Sequence, residues 1–304
     1  MLSVGVDTGG TFTDFVAGER VFKVRSTPAD PARAVLEGIA GIEGGPLRIV
    51  HGTTVGTNAL LTRRLARTAF VTTRGLEDLL EVGRQDRPVL YALHPRKAAP
   101  LVAAADCFGV SERLHPDGSV ERPLDPEDLV QRLRRSGVEV VAVCLLHAYR
   151  NPVHERRLGE LVAQTGLACS LSHRVANEFR EVERAATTVA NAALVPVMTP
   201  YLARLREALG AHRLEVLQSS GGTADPGTVA DLPVRTVLSG PAGGVVAAAE
   251  LARRHRVAEA VSLDMGGTST DVALLRGAPE VLPQVEIGGL ALRVPVLDVH
   301  TVGA

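Results

Sequence analysis

The sequence DTGGTFTD occupies residues 7–14, and the related sequence DMGGTSTD occupies residues 264–271. Six of the eight positions are identical, and the two copies begin 257 residues apart. Short apolar runs flank each copy, and this pattern predicts a β-hairpin whose turn carries Gly-Gly-Thr. Two copies at this separation indicate one hairpin in each of two domains of a duplicated fold, and they do not fit a short-period repeat.

The composition of this turn suits a phosphate group. Glycines let an anion approach the backbone closely, and successive turn N–H groups and threonine hydroxyls supply hydrogen-bond donors. An aspartate at the end of the first strand, Asp7 or Asp264, can hold Mg²⁺ beside the phosphate through water. Glycine turns are common in hairpins, so one copy is a weak signal, whereas two matching copies predict a phosphate site.

Strand and helix patterns alternate between the two motifs, which is typical of an α/β protein. The length of 304 residues suits two domains of about 150 residues each. Pro196 and Pro200 interrupt a helical pattern, so we expect a first domain at residues 1–195 and a second at 196–304. Residues 75–126 are rich in Pro, Gly and charge, which predicts a loop-rich insertion.

The charge balance gives no indication of a polyanionic partner. The chain has 33 basic and 34 acidic residues, so we expect neither nucleic acid nor a membrane surface as a ligand. Its three cysteines form no CxxC pair, which favours a reducing compartment and argues against structural zinc. The N-terminus resembles no signal peptide, and no apolar run is long enough to span a bilayer. A cytoplasmic location is therefore expected.

Several further stretches resemble those of one protein family. They are SGPAGGVVAAA (239–249), HGTTVGTNAL (51–60), EFREVER (178–184), QSSGG (218–222) and LDVHTVG (297–303). Together with the two hairpins, they resemble the hydantoinase A/5-oxoprolinase family, within the actin/Hsp70/sugar-kinase ATPase superfamily. The resemblance covers the whole chain and implies an α/β fold of two ribonuclease H-like domains, the second of them truncated.

The resemblance implies that ATP and Mg²⁺ bind at the two hairpins. Asp7 and Asp264 would organise Mg²⁺. The implied nucleotide-binding residues are Asp7, Thr8, Gly9, Gly10, Thr11, Thr13, Asp14, Asp264, Gly266, Gly267, Thr268, Thr270 and Asp271. For Asp14 and Asp271, a structural role as caps of the turns is an equal alternative.

Two further groups are candidates for catalysis. His51, Thr53, Thr54 and Asn58 are implied to form a substrate-facing loop, with His51 as an acid/base or metal ligand; the alternative is a cap at a helix start. Glu181, Glu183 and Arg184 are implied to form a wall of the site. For these three residues, the alternative is a helix N-terminus stabilised by its own acidic side chains.

A second divalent metal is a weaker hypothesis. Asp298 and His300 would point to one face of a strand and, together with His51, supply metal ligands. A lone Asp-x-His is more often a surface or core feature. No P-loop, HExxH or GxSxG motif is present, so the enzyme classes that carry these motifs find no support.

The implied activity is ATP-dependent opening of a cyclic amide, of the hydantoin or 5-oxoproline type, by phosphorylation of the carbonyl oxygen. An ATP-dependent carboxylase subunit and a non-catalytic nucleotide-binding module are the alternatives. Family members run to roughly double this length, and superfamily members carry the adenine-binding loop after the second hairpin. We therefore expect this chain to need additional sequence or a hydantoinase B-like partner subunit.

Overall fold

The computed structural model describes residues 1–27, 29–86, 89–94, 98–265 and 269–303. It divides into two compact units. Unit 1 comprises Met1–Asn58, Met198–Gln284 and Val294–Ala304, and unit 2 comprises Ala59–Val197 and Val285–Arg293.

Helices and strands alternate along most of the chain. The helices are α1 (Pro31–Ala40), α2 (Val55–Leu61), α3 (Leu79–Val82), α4 (Leu129–Ser136), α5 (Val153–Ala163), α6 (Ser172–Val175), α7 (Glu181–Leu209), α8 (Pro226–Asp231) and α9 (Ser239–Arg254). The strands are β1 (Leu2–Thr8), β2 (Phe12–Ala17), β3 (Arg20–Arg25), β4 (Leu47–Thr53), β5 (Thr68–Thr73), β6 (Cys107–Leu114), β7 (Val120–Asp125), β8 (Val140–Cys144), β9 (Ala168–Leu171), β10 (Arg213–Leu217), β11 (Thr223–Ala224), β12 (Glu259–Met265), β13 (Ser269–Arg276), β14 (Val281–Leu282), β15 (Val285–Ile287), β16 (Leu290–Leu292), β17 (Val296–Leu297) and β18 (His300–Gly303). The predicted α/β class is confirmed.

The main sheet of unit 1 has the strand order β11-β10-β4-β1-β2-β3. Strands β1, β2 and β3 form an antiparallel meander, and β4 and β10 continue the sheet parallel to β1. This arrangement is the one expected for a ribonuclease H-like domain. Val4 and Val6 are buried in the core with Val35 of α1 and Leu202 of α7, which leaves Asp7 on the opposite, outward side of β1.

A second hairpin in unit 1 reproduces the pairing of the first. Strands β12 and β13 pair antiparallel with Asp264 opposite Asp271, just as β1 and β2 place Asp7 opposite Asp14. Strand β18 extends this sheet, and Ala273 of β13 packs with α9 through Val245. The predicted duplication of the hairpin is therefore present in both its strands and its register.

The sheet of unit 2 has the order β7-β6-β5-β8-β9, with β5, β6, β8 and β9 parallel. Every residue of β5 and β8 is buried. Successive residues of β8 point to opposite faces of the sheet, and both faces are covered by helices. Val141 packs with α4 and α5 on one face, while Ala142 packs with α7 on the other. Both faces of the two central strands are covered, as is usual for a parallel sheet.

The structure differs from two expectations about the chain path. Residues 107–125 form the β6–β7 hairpin, although they lie inside the range 75–126 that was predicted to be loop-rich. The sequence pattern predicts a loop there because the turn at His115–Ser119 carries strong loop signals that mask the two strands. Helix α7 continues through Pro196 and Pro200, where we expected an interruption. A proline inside a helix costs about 3 kcal/mol, and burial of neighbouring side chains such as Leu202 offsets this cost.

The compact units do not coincide with the predicted domains 1–195 and 196–304. The change of unit between Val197 and Met198 lies close to the predicted boundary, but Met1–Asn58 groups with the later residues of unit 1. The division into two contiguous domains stays a prediction. Within the described ranges, no helix has the length and hydropathy that crossing a membrane requires.

Candidate functional site

The C-terminal end of β1 places a carboxylate between two neighbouring strands. Asp7 lies opposite Asp14 on β2 and beside Gly52 on β4. A Cβ atom at residue 52 would lie 2.7 Å from Asp7 Oδ1, so a side chain at this position would displace the carboxylate. On another side, a Cβ atom at Gly240, in the first turn of α9, would lie 3.7 Å from the same oxygen.

Charge is concentrated around Asp7. Loss of hydration is the largest cause that raises its pKa, from 3.8 to about 6, and the negative charges of Asp14 and Asp264 add to the effect. Asp7 is nevertheless exposed to solvent, so a ligand can reach it. Asp14 has a counter-ion, since Lys23 Nζ lies 2.9 Å from its carboxylate. The two hairpins therefore bring their aspartates within electrostatic reach of each other.

The turn of the first hairpin separates exposed from buried residues. Gly10 and Thr11 are exposed at its tip, and a Cβ atom at Gly10 would meet no other atom within 4 Å. Gly9 N donates to Phe12 O at 3.0 Å, which closes the turn. Thr13 is fully buried, and its hydroxyl lies 3.0 Å from that of Ser26.

The predicted nucleotide ligands of the first turn therefore fall into two groups. Gly9, Gly10 and Thr11 form the turn itself, where a ligand can reach the backbone. Thr8 and Thr13 are buried on the core side of the sheet, which is a structural position.

The second hairpin presents Asp264 at the exposed end of β12. Asp271, by contrast, accepts a hydrogen bond from Thr301 Oγ1 at 2.6 Å, which favours the structural alternative for this residue. Thr270 is half-buried on β13. The predicted phosphate ligands Gly266, Gly267 and Thr268 lie outside the described residues.

His51 is buried in the core of unit 1. Its side chain has no exposed surface, and its Nε2 lies 2.6 Å from the Tyr201 hydroxyl oxygen on α7. Burial lowers the pKa of His51 from 6.5 to about 4, so the imidazole is neutral near pH 7. A ring without access to solvent cannot exchange protons with a substrate, so this position favours a structural role.

The residues that follow His51 shape the turn into α2. Thr53 Oγ1 accepts a hydrogen bond from Val55 N at 3.2 Å, and Thr54 Oγ1 donates to Thr8 O at 3.0 Å. Asn58 is exposed, and its backbone N donates to Thr54 O at 2.8 Å. These contacts correspond to the alternative of a helix-start cap. Thr54 is nevertheless close to the Asp7 site, since a Cβ atom at Gly240 would lie 3.7 Å from its Cγ2.

Glu181, Glu183 and Arg184 begin α7 and belong to unit 2, whereas the aspartate site belongs to unit 1. Glu181 is half-buried in the first turn of the helix. Glu183 is buried and forms an ion pair with Arg84. Arg184 is buried as well, and its Nη2 donates to Leu145 O at 2.8 Å.

The proposed second metal site is not assembled. His300 is largely exposed and lies 3.7 Å from Asp298, while His51 is enclosed in the core. Within the described part of the chain, no three His, Cys, Asp or Glu side chains are grouped as metal ligands. The prediction of a site formed by His51, Asp298 and His300 is therefore not supported. The Mg²⁺ predicted at the hairpins needs fewer protein ligands, because one or two carboxylates suffice besides phosphate and water.

Sequence reasoning did not identify Gly52, Gly240, Lys23 or Tyr201 as parts of this region. Gly52 and Gly240 lie inside the HGTTVGTNAL and SGPAGGVVAAA motifs, but their closeness to Asp7 follows from strand and helix packing. Tyr201 is 150 residues from its partner His51, and no local pattern marks such a pair.

Comparison with known proteins identifies the family to which this chain belongs. Residues 3–166 match the sequence profile of the hydantoinase/oxoprolinase N-terminal region, and residues 184–304 match the hydantoinase/oxoprolinase profile. The 5-oxoprolinase of Saccharomyces cerevisiae is 32% identical over 363 residues, covering 100% of this chain and 28% of that protein. The caprolactamase subunit alpha of Pseudomonas jessenii is 32% identical over 330 residues, covering 99% and 47% of the two chains.

Two solved structures share the fold. The ATP-dependent caprolactamase from P. jessenii superposes with a TM-score of 0.87 at 30% identity, and nucleotide-free acetone carboxylase superposes with a TM-score of 0.86 at 27% identity. Each covers 99% of this chain, while this chain covers 48% of each structure. The chain thus spans about half the length, or less, of the relatives that it matches. Its sequence motifs, paired hairpins and structural likeness place it in the hydantoinase/oxoprolinase family.

Proposed function

We propose that this chain supplies the nucleotide site of an ATP-dependent enzyme that opens a cyclic amide of the hydantoin or 5-oxoproline type. The observation that carries the proposal is that Asp7 and Asp264, one on each Asp-x-Gly-Gly-Thr hairpin, lie within electrostatic reach of each other. The charge of Asp264 on the second hairpin contributes to the raised pKa of Asp7 on the first. Two such hairpins with carboxylates in electrostatic reach of each other suit a polyphosphate together with a divalent cation.

The donor set around Asp7 fits Mg²⁺. Asp7 and Asp264 would hold the ion, since a raised carboxylate pKa among like charges indicates a place where a cation is stabilising. When bound, Mg²⁺ would neutralise phosphate charge during transfer of the γ-phosphoryl group. Gly9, Gly10 and Thr11 would donate to the phosphates from the first turn, and Gly266, Gly267 and Thr268 from the second. Asp14, paired with Lys23, would remain a supporting residue.

The proposed reaction activates the amide carbon by phosphorylating its carbonyl oxygen. The carbonyl oxygen attacks the γ-phosphorus, an O–P bond forms, and the bond from phosphorus to the ADP oxygen breaks. Water then adds to the activated carbon, the ring C–N bond breaks, and the nitrogen takes up a proton. An acyl phosphate remains, and a second water cleaves it, which releases inorganic phosphate and leaves a free carboxylate on the opened product. The names of the two relatives support this class, since 5-oxoproline and caprolactam are both cyclic amides.

The proposed enzyme includes further polypeptide. A relative from P. jessenii is named as a subunit, and so is the acetophenone carboxylase gamma subunit of Aromatoleum aromaticum. This naming supports a partner subunit for the present chain, and the resemblance of the sequence leads us to propose one of the hydantoinase B type.

An ATP-dependent carboxylase subunit is the second candidate. Its specific support is the likeness to acetone carboxylase, whose TM-score of 0.86 almost equals that of the caprolactamase. Both reactions begin with phosphorylation of an oxygen, so the same nucleotide site serves either. Bicarbonate-dependent ATP turnover by the assembled enzyme would favour the carboxylase, and turnover dependent on a cyclic amide alone would favour the hydrolase.

Calorimetry of Mg²⁺–ATP binding to the purified chain tests the shared core of both proposals. We expect saturable binding that is weakened more than tenfold in Asp7→Asn and in Asp264→Asn, while Asp225→Asn, a helix cap, binds as the wild type does. A folded wild-type chain without saturable binding would contradict a nucleotide site in this chain. Binding without any hydrolysis in the assembled protein would indicate a non-catalytic nucleotide module.

A further inference from the structure

Unit 2 contains a buried guanidinium with unused hydrogen-bond donors. Arg184 is only 1% exposed, and one of its nitrogens, Nη2, donates to Leu145 O at 2.8 Å. Its Nε and Nη1 atoms have no hydrogen-bond partner among the residues that the structure describes. The adjacent carboxylate of Glu183 forms an ion pair with Arg84. Most of the hydrogen-bonding capacity of Arg184 is therefore unmet inside the protein.

The neighbouring aromatic ring compensates the charge only in part. The guanidinium carbon of Arg184 lies 5.4 Å from the centre of the Tyr149 ring, a cation–π distance. A ring face accepts charge but does not replace a full set of hydrogen bonds to a buried cation. His147 lies edge-on to the same ring at 6.2 Å, and its buried Nδ1 also has no partner in the described chain. Two nitrogen-bearing side chains with unused atoms thus flank Tyr149.

Backbone strain occurs next to these contacts. His147, Gln85 and Arg180 have positive φ values of 59°, 59° and 76°. His147 lies in the turn that contains Leu145 and Tyr149, and Gln85 follows Arg84. Arg180 O accepts the hydrogen bond from Arg184 N at 3.1 Å. Strained residues of this kind tend to lie at ligand sites and switch regions.

The topology of unit 2 places this cluster where parallel sheets bind ligands. The Leu145–Tyr149 turn follows β8, which lies beside β5 in the sheet order. The chain passes from β5 to β6 on one side and from β8 to β9 on the other, so the β5–β8 boundary is a topological switch point. Ligands of open α/β sheets bind at the carboxyl ends of strands at such a point.

We propose that Arg184 forms part of a site for an oxyanion, a carboxylate or a phosphate, in unit 2. The ligand would accept hydrogen bonds from the unused Arg184 donors, which supply the charge-assisted contacts that oxyanions prefer. Both donors are enclosed, so the ligand enters when the turn carrying Tyr149 opens. This site uses none of the residues of the aspartate site and stands independently of the nucleotide proposal.

Arginine-selective ¹⁵N spectroscopy of the wild-type chain tests this site without an activity assay. The Arg184 Nε–H signal is assigned by its absence in Arg184→Lys and, should that variant not fold, by the ring-current shift that Tyr149→Leu removes. Acetate and inorganic phosphate are then titrated separately at constant ionic strength. We expect a saturable shift of the Arg184 signal with one of the two anions, which identifies the carboxylate or the phosphate source.

Arg150 provides the matched control, because it is exposed one residue beyond Tyr149. Its Nε–H signal should drift without saturation in both titrations. The anion that shifts Arg184 should also raise the melting temperature of the wild type and of Arg150→Gln. An Arg184 signal that fails to saturate with both anions would overturn the proposal.

Discussion

Asp7 on β1 and Gly52 on β4 lie side by side in parallel register, and a Cβ atom on residue 52 would come within 2.7 Å of Asp7 Oδ1. Real Cβ atoms do not approach an oxygen so closely, and a Cβ atom at Gly240 would lie 3.7 Å from the same oxygen. The direction of the Asp7 carboxylate therefore depends on the absence of a side chain on the adjacent strand. This relationship gives a direct test of the proposed site.

Gly52→Ala should weaken Mg²⁺–ATP binding without removing any proposed ligand. The added methyl group displaces the Asp7 carboxylate, and we expect at least a tenfold loss of affinity, about 1.4 kcal/mol. Calorimetry measures the loss, with Gly45→Ala as the control because a Cβ atom at Gly45 meets nothing within 4 Å. Equal affinities of Gly52→Ala and the wild type would show that the position of Asp7 does not matter for the nucleotide.

Mg²⁺ affinity should depend on pH through Asp7. The pKa of Asp7 in the folded protein, about 6, lies above its ordinary value of 3.8, so the folded protein binds this proton more strongly than the unfolded chain does. The stability of the fold therefore falls as the pH rises from 3.8 to about 6. Mg²⁺ requires the ionised carboxylate, so affinity should rise about tenfold per pH unit below 6 and level off above it. Calorimetry from pH 5 to pH 8 gives the profile. Asp7→Asn should bind weakly with a flat profile, and an unchanged slope in this variant would assign the titration to another group.

Tyr201→Phe should destabilise unit 1 locally. The substitution removes the hydroxyl that lies 2.6 Å from His51 Nε2 and leaves a buried imidazole nitrogen without this partner. We expect a loss of about 1–3 kcal/mol in the opening free energy of β4 amides, measured by hydrogen exchange. Tyr91→Phe is the control, since Tyr91 is 92% exposed and should change nothing. A Tyr201→Phe protein with unchanged β4 protection would mean that the pair contributes no stability.

His51 should contribute to acid sensitivity. Its folded-state pKa of about 4 lies below the ordinary 6.5, so unfolding takes up a proton between these values and stability falls as the pH drops from 6.5 towards 4. The full effect of this interval is about 3 kcal/mol. Urea unfolding of the wild type and His51→Gln across the interval isolates the effect as the difference between their slopes. Parallel slopes would indicate that His51 titrates normally.

Asparagine substitutions of Asp264 and Asp271, the two aspartates of the second hairpin, should differ in their effect on Mg²⁺–ATP affinity. Asp271 accepts from Thr301 Oγ1, and an asparagine oxygen can accept the same hydrogen bond, so Asp271→Asn should leave Mg²⁺–ATP affinity within about threefold. Asp264→Asn removes an exposed charge within electrostatic reach of Asp7 and should lower affinity by more than tenfold. Equal losses of Mg²⁺–ATP affinity in the two variants would indicate that Asp271 also contributes to the binding site.

Part of the fold could be predicted because it rests on local patterns. The short apolar runs that flank residues 7–14 and 264–271 predict two hairpins, and both are present with the same aspartate pairing. The continuity of α7 through Pro196 and Pro200 could not be predicted. It depends on the burial of side chains such as Leu202, which a local pattern does not report.

By itself, the sequence determined the α/β class, the duplicated hairpin and the family. These follow from residue periodicity and from motifs whose own residues lie within a few positions of one another. Tertiary structure alone decided which motif residues face a ligand. His51 became enclosed against Tyr201, and Asp7 became exposed beside Gly52 and within electrostatic reach of Asp264. The physical reason is that burial and electrostatic coupling depend on distances between residues far apart in the chain, and only packing sets those distances.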